Sequence, residues 1–187
     1  MSVPSSDTGW LAPHEQRAWR AFMLGSQLLM DQLDRELLRD AGMPHAYYGI
    51  LVVLSEQPAF SMRMNEIAEL LCFSKSRLSH AIGRLEERGW IERVICPTDR
   101  RGMFAVLTPE GLAALQAAAP GHVDSVRRHV FARLNPEQIE QLRIISEAIA
   151  GPLMAANLSH GLAAGCTESG IDAGTEPSAE RATEREA

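Results

Sequence analysis

"KSRLSHAIGRLEERGWIERVICPTDRRGMFAVLTPEG", residues 75–111, changes its hydrophobic period twice. Leu78, Ala81, Ile82 and Leu85 share one face of a helix that Gly89 ends. "WIERVIC" and "MFAVL" are then rich in β-formers and flank the loop "PTDRRG", as the two arms of a hairpin do. "TPEG" restarts a helix, with Thr108 as its cap and Pro109 at its first position. Just upstream, "NEIAELL" is short and amphipathic through Ile67, Leu70 and Leu71, and the turn "CFS" joins it to a helix capped by Ser74. Two helices across a short turn, followed by a hairpin, define a winged helix-turn-helix. The first of the two has a poor cap, because Arg63 or Met64 stands where Ser, Thr or Asp would satisfy the free amides.

From Pro13 to about Asp40, Trp19, Phe22, Met23, Met30, Leu33 and Leu37 keep helical spacing, and Ala41-Gly42 is a plausible stop. A second helix is expected from about Pro44 to Gln57, closed by Pro58. The helix opened by Thr108 should run through Leu112, Leu115, Val123, Val126 and Val130 to about Leu134, with Pro120-Gly121 kinking or breaking it. "NPEQ" opens the last helix, with Asn135 as cap and Gln138 three residues on. Ile139, Leu142, Ile145, Ile149 and Leu153 give that helix a long apolar seam, and beyond Ser159 the period stops. The expected fold is therefore mainly α with a small β-hairpin wing. The first and last helices are too long for the winged unit to cover their apolar faces, and an identical chain is the simplest partner. The expected organisation is a flexible N-terminus (1–12), a helical dimerisation region (13–43 and 108–159), a winged DNA-binding domain (44–107) and a disordered acidic tail (160–187).

The chain has 187 residues and a formal charge of -6, which at first sight argues against nucleic acid. Charge read by segment says otherwise. Residues 160–187 hold six acidic and two basic side chains, whereas residues 74–101 hold seven basic and four acidic ones. No apolar run reaches the roughly 18 residues of a membrane span, and the N-terminus lacks the pattern of a signal peptide, so a soluble, cytoplasmic protein is expected. Cys72, Cys96 and Cys166 show no CxxC spacing and are expected to be free thiols.

On the helix after Ser74, the face opposite Leu78, Ile82 and Leu85 is centred on Ser76, His80, Gly83 and Glu87, with Arg77, Ser79 and Arg84 at its flanks. Its N-terminal half offers hydroxyls, imidazole and guanidinium with few carboxylates, a mixture that suits a major groove. Ser74, Lys75 and the amides at the helix start suit phosphates, and Gly83 would let a backbone come close. Arg100 and Arg101 at the hairpin tip suit the negative potential of a minor groove. Asp99 beside them can accept hydrogen bonds from a guanidinium and hold it rigid.

The run "MNEIAELLCFSKSRLSHAIGRLEERGWIERVICPTDRRGMFAVLTPEG" resembles the winged helix-turn-helix of MarR-type transcription regulators, above all in "LEERGWIER", the "DRR" wing and the "LTPEG" restart. The resemblance spans roughly residues 13–155. It implies a homodimer with two winged lobes on a pseudo-palindromic duplex, a repressor released by a small, often aromatic or phenolic, ligand or by thiol oxidation. By position it makes Lys75 to Arg84 the recognition helix, Asp99 the brace of the wing and Arg101 the minor-groove arginine. The family's peroxide sensors carry a cysteine near the start of the first helix. Residues 13–40 have none, which leaves Cys72 or Cys96 as the thiol alternative.

Trp19, Phe22, Met23, His45, Tyr47 and Tyr48 lie near where such regulators form their ligand cavity, and could stack on an aromatic effector or orient its carboxylate or phenol. His122 and His129 could share a helix face, but no His/Cys/Glu set has zinc-site spacing, so neither metal nor cofactor is expected. Without GxSxG, a glycine-rich phosphate loop or HExxH, no enzyme is expected either. A winged-helix module that binds protein through its basic lobe is the remaining alternative.

Overall fold

A computed structural model describes residues 9–95 and 102–167, with side chains through Ala155. Helices α1 (Pro13–Ala41) and α2 (His45–Ser55) lead to strand β1 (Ser61–Arg63). Then follow α3 (Met64–Leu70), α4 (Lys75–Glu87), β2 (Ile91–Ile95), β3 (Met103–Leu107), α5 (Pro109–His129) and α6 (Pro136–Thr167). The chain divides into two units after Ser146, so α6 begins in the first and its remainder, from Glu147, forms the second.

Local chemistry sets the boundaries. The Glu15 carboxylate accepts the Ala12 N–H at 2.7 Å at the start of α1. Gly42, at φ +61°, ends that helix by donating to the Leu38 carbonyl in the left-handed geometry that glycine adopts without a Cβ penalty. The Asp34 carboxylate accepts the His45 N–H at 2.8 Å, which ties the start of α2 to the body of α1. Ser74 Oγ accepts the Arg77 N–H at 3.2 Å. At the poorly capped start of α3, Glu66 accepts the Arg63 N–H at 3.3 Å, supplying from the third helical position what Arg63 cannot.

The core of the winged lobe is built from Ile50, Leu51 and Leu54 of α2, Ile67 of α3, Leu78, Ile82 and Leu85 of α4, and Ile91, Ala105 and Leu107 of the sheet, joined by Leu37 and Met43. The sheet is antiparallel in the order β1-β3-β2, with Ile95 opposite Met103 where the hairpin opens. β1, which the sequence did not show, pairs Met62 with Ala105. Three residues are too few to display a period.

The helical region departs from expectation in three places. Pro120-Gly121 does not break α5, which is continuous from Pro109 to His129. The proline ring's φ is itself helical and removes one backbone hydrogen bond, while burial of Leu115, Ala118 and Ser125 on either side holds the helix in line. α5 ends before Leu134, in a 3-10 turn at Phe131–Arg133. α6 continues to Thr167, past the point at Ser159 where the apolar period stops.

The tightest packing is where the wing meets α5. The Thr108 hydroxyl donates to the Gly89 carbonyl at 2.7 Å and accepts the Gly111 N–H at 3.0 Å, while the Thr108 N–H donates to the Trp90 carbonyl. A Cβ on Gly111 would lie 2.1 Å from the Trp90 oxygen and 2.8 Å from Leu107 Cδ1. Gly111→Ala should therefore destabilise the lobe by about 1–3 kcal/mol or more, the usual range for an overpacked site. Urea unfolding would read this as a lowered midpoint, and an unchanged midpoint would contradict the packing described.

Candidate nucleic-acid interface

α4 divides its surface between two tasks. Leu78, Ala81, Ile82 and Leu85 are buried, whereas Ser74, Lys75, Ser76, Arg77, Ser79, His80 and Arg84 are exposed. The Arg77 guanidinium carbon stands 4.1 Å from the centre of the Phe73 ring, a cation–π contact that restrains the side chain without neutralising it. Arg84 is paired instead with Glu87 at 2.8 Å. Lys75 lines a cleft of about 230 Å³ at the root of the wing, together with Arg63, Asn65, Gly102 and Met103. Arg63 lies over the Phe104 ring at 5.2 Å. Asp99, Arg100, Arg101 and Cys96 fall outside the described residues. Cys72 is exposed, in the turn before α4, at φ +52°.

Gly83 proves to serve the protein's own packing. Arg93 reaches from β2 across α4, donating to the Ser79 carbonyl at 3.2 Å and standing 3.4 Å from the Glu86 carboxylate. A Cβ on Gly83 would come within 3.3 Å of that guanidinium. Arg93 therefore packs over Gly83 and fixes the wing strand against α4. Strand alternation leaves Arg93 looking like any solvated residue, so the sequence carried no signal for this contact.

The aromatic set expected to bind an effector is split among three surroundings. Trp19, Phe22 and Met23 are exposed on α1, with the Trp19 and Phe22 rings 6.3 Å apart. Tyr47 lies beneath Arg88 at 6.0 Å. His45 and Tyr48 meet a ring that was not in the set, His122 of α5, at 5.3 and 4.5 Å between centroids. Burial pushes His45 and His122 down, the latter further lowered by the nearby His45, so the neutral imidazoles are favoured. Burial likewise pushes the Tyr48 phenol up.

Behind this cluster, Glu36 of α1 is a buried carboxylate with 5% of its surface exposed. Its Oε1 accepts from the Gln32 amide at 2.7 Å and lies 2.9 Å from His129 Nε2 and 3.6 Å from Arg128. The neighbouring Ser125 hydroxyl, then Gln32 and His129, hold the carboxyl down from 4.5 to about 2. His122 and His129 thus serve different partners. No group of three or more His, Cys, Asp or Glu able to hold a metal occurs among the described residues, nor does any helix long and apolar enough to cross a membrane.

Two helices across a short turn, the second presenting hydroxyls and guanidinium, beside a three-stranded antiparallel sheet are the architecture of a winged helix-turn-helix. The sequence pattern of the MarR family matches residues 41–102. Over 77% of this chain and 94% of the other, the protein is 52% identical to Sco3205, a MarR family transcriptional regulator from Streptomyces coelicolor solved in complex with DNA, with a TM-score of 0.74. It is 43% identical to AbsC, a MarR family transcriptional regulator from the same organism, over 79% of this chain and 99% of that one, again with a TM-score of 0.74. The transcriptional repressor MprA of Escherichia coli K12 is 25% identical over 62% of this chain and 74% of its own length. The chain belongs to the MarR family of transcriptional regulators, whose members are not enzymes.

Because the folded state holds Glu36 ionised down to about pH 2 and the unfolded state only to about 4.5, its contribution to stability is complete above 4.5 and disappears as pH falls toward 2. Glu36→Gln should therefore lose less stability than the wild type across that window. Parallel chemical-denaturation series at stepped pH would show it, and equal acid sensitivity of the two proteins would contradict the assignment.

Proposed function

We propose that the protein is a homodimeric repressor that binds a pseudo-palindromic operator and is released by a small-molecule ligand. In this reading α4 enters the major groove, Ser74 and Lys75 take phosphates, and Ser76, Arg77, Ser79, His80 and Arg84 face base edges. Arg100 and Arg101 reach the minor groove, with Asp99 bracing Arg101. The observation that carries the reading is the exposed face of α4, on which Arg77 is held by an uncharged ring and keeps its full charge for a polyanion. Its support among relatives is Sco3205, which shares the fold over nearly its whole length and was solved with DNA.

Dimerisation is supported by surface that a single chain leaves uncovered. Trp19, Phe22, Leu24 and Leu28 of α1, and Leu142, Ile144 and Ile145 of α6, are each at least 40% exposed. An apolar stripe of this length in water favours burial against a partner. The ligand reading is supported by the half-buried ring cluster of His45, Tyr48 and His122, at the meeting of α2 and α5. Stacking surface and ring nitrogens there suit a small aromatic or phenolic compound.

Binding isotherms on a selected operator and its single-base variants, at several salt concentrations, separate the roles. Arg101→Ala should weaken all sequences together and lower the salt slope by about one for each phosphate no longer neutralised. Arg77→Ala should instead cost roughly 1–3 kcal/mol per base read and relax preference at one position of each half-site. If wild-type affinity for duplex were indifferent to salt, the lobe would be a protein-binding module and the reading would fail. Leu142→Asp with Ile145→Asp should yield monomers by light scattering that have no operator binding. A wild-type monomer at micromolar concentration would refute the dimer.

A further inference from the structure

The cleft of about 230 Å³ at the root of the wing has a lining divided by chemistry. Arg63 comes from the end of β1, Asn65 and Ala68 from α3, Lys75 and Leu78 from α4, and Met103 from the start of β3. Ala68 and Leu78 are buried and Met103 is 38% exposed, so part of the wall is apolar. Asn65 and Lys75 are exposed. No lining residue is acidic.

The two cations are presented differently. Arg63 stands opposite Phe104 in the sheet, with its guanidinium carbon 5.2 Å from the centre of that ring. The ring restrains the arginine and takes none of its five N–H donors. Lys75 opens α4 and forms no ion pair among the described residues. A guanidinium can grip two oxygens of one phosphate, and an ammonium adds a point charge beside it.

Cationic and apolar surface side by side suit a partner built in the same way. A nucleic-acid backbone is one, since it alternates a phosphate anion with the carbons of a sugar. Duplex geometry brings that backbone to this place. A helix in a major groove and a hairpin tip in the neighbouring minor groove have one sugar–phosphate strand between them. The cleft lies between the start of α4 and the root of the hairpin, where that strand has to cross. At about 30 Å³ for each water it has room for roughly seven, which admits a phosphate with part of its sugar.

We infer that this cleft seats one phosphate of the strand between the two grooves, held by Arg63 and Lys75, with its sugar against Met103. Arg63 thereby contacts DNA from a strand that belongs neither to α4 nor to the hairpin tip. Such a contact sets the register of the lobe on the duplex and carries no sequence preference of its own. The inference rests on the placement of α4 and the wing proposed above.

The test uses the full chain and a selected operator duplex at several salt concentrations. Arg63→Gln should weaken binding to the operator and to its single-base variants alike, several-fold, and lower the salt slope by about one for each phosphate no longer neutralised. That change also strips the guanidinium from the Phe104 ring, so Met103→Glu serves as a second variant. It puts a carboxylate in the cleft, keeps Arg63, and should weaken all sequences in the same way. An uncharged methylphosphonate placed at each backbone position in turn should reveal one position per half-site where the wild type loses several-fold affinity and Arg63→Gln loses none, the non-additivity of a shared contact. A steep, base-selective wild type whose affinity and salt slope survive in both variants would overturn the seat and leave the repressor reading standing. A sensitive position silenced by Lys75→Gln and not by Arg63→Gln would give that phosphate to the start of α4 alone, and would overturn the seat as well. Duplex binding by the wild type that is indifferent to salt would overturn the repressor reading itself, and the seat with it.

Discussion

Everything that reads outward in this protein hangs from one joint, where Thr108 and Gly111 close against the Gly89-Trp90 backbone. Thr108 caps α5 with the same hydroxyl that it gives to the end of α4, so α4, the wing and α5 share a single hydrogen-bonded point. The absence of a side chain on Gly111 lets α5 begin in contact with the Trp90 carbonyl. Arg93 makes a second tie from the wing strand to α4, over Gly83. A rigid lobe follows, in which α4 and the wing strands cannot change their mutual angle without breaking packed backbone.

α1 and α5 carry a charge arrangement unlike the surface pairs elsewhere on the molecule. The exposed pairs Arg84–Glu87 and Arg127–Asp124 are each one turn apart on their own helix and contribute little in water. Glu36 instead draws Gln32 from its own helix and His129 from α5 into a buried group, so its removal would be felt by both elements.

The winged lobe was legible because its signals are local: a cap at Ser74, an apolar face at Leu78, Ile82 and Leu85, a stop at Gly89 and β-formers on both sides of a turn. What was not legible depended on contacts far apart in sequence. Glu36 sits among Asp34, Arg35, Arg39 and Asp40 and reads as solvated, and its burial becomes evident only when α5 lies beside it. His122 reads as one of six unremarkable histidines, yet it completes the cluster of His45 and Tyr48. Pro120 reads as a breaker, and tertiary packing overrode it. The exposed Trp19 and Phe22, expected at a cavity with His45, sit at the other end of a long helix, a separation that composition cannot reveal.

The exposed half of α4 has an evolutionary corollary. Ser76, Ser79 and His80 contribute nothing to the core, and surface substitutions of this kind usually change stability by no more than about 0.5 kcal/mol. Such positions can drift through many identities while Leu78, Ile82 and Leu85 hold the helix in place. A duplicated copy of this chain could thereby diverge along this face without losing its fold. Arg77 differs from these three in that it also packs on the Phe73 ring.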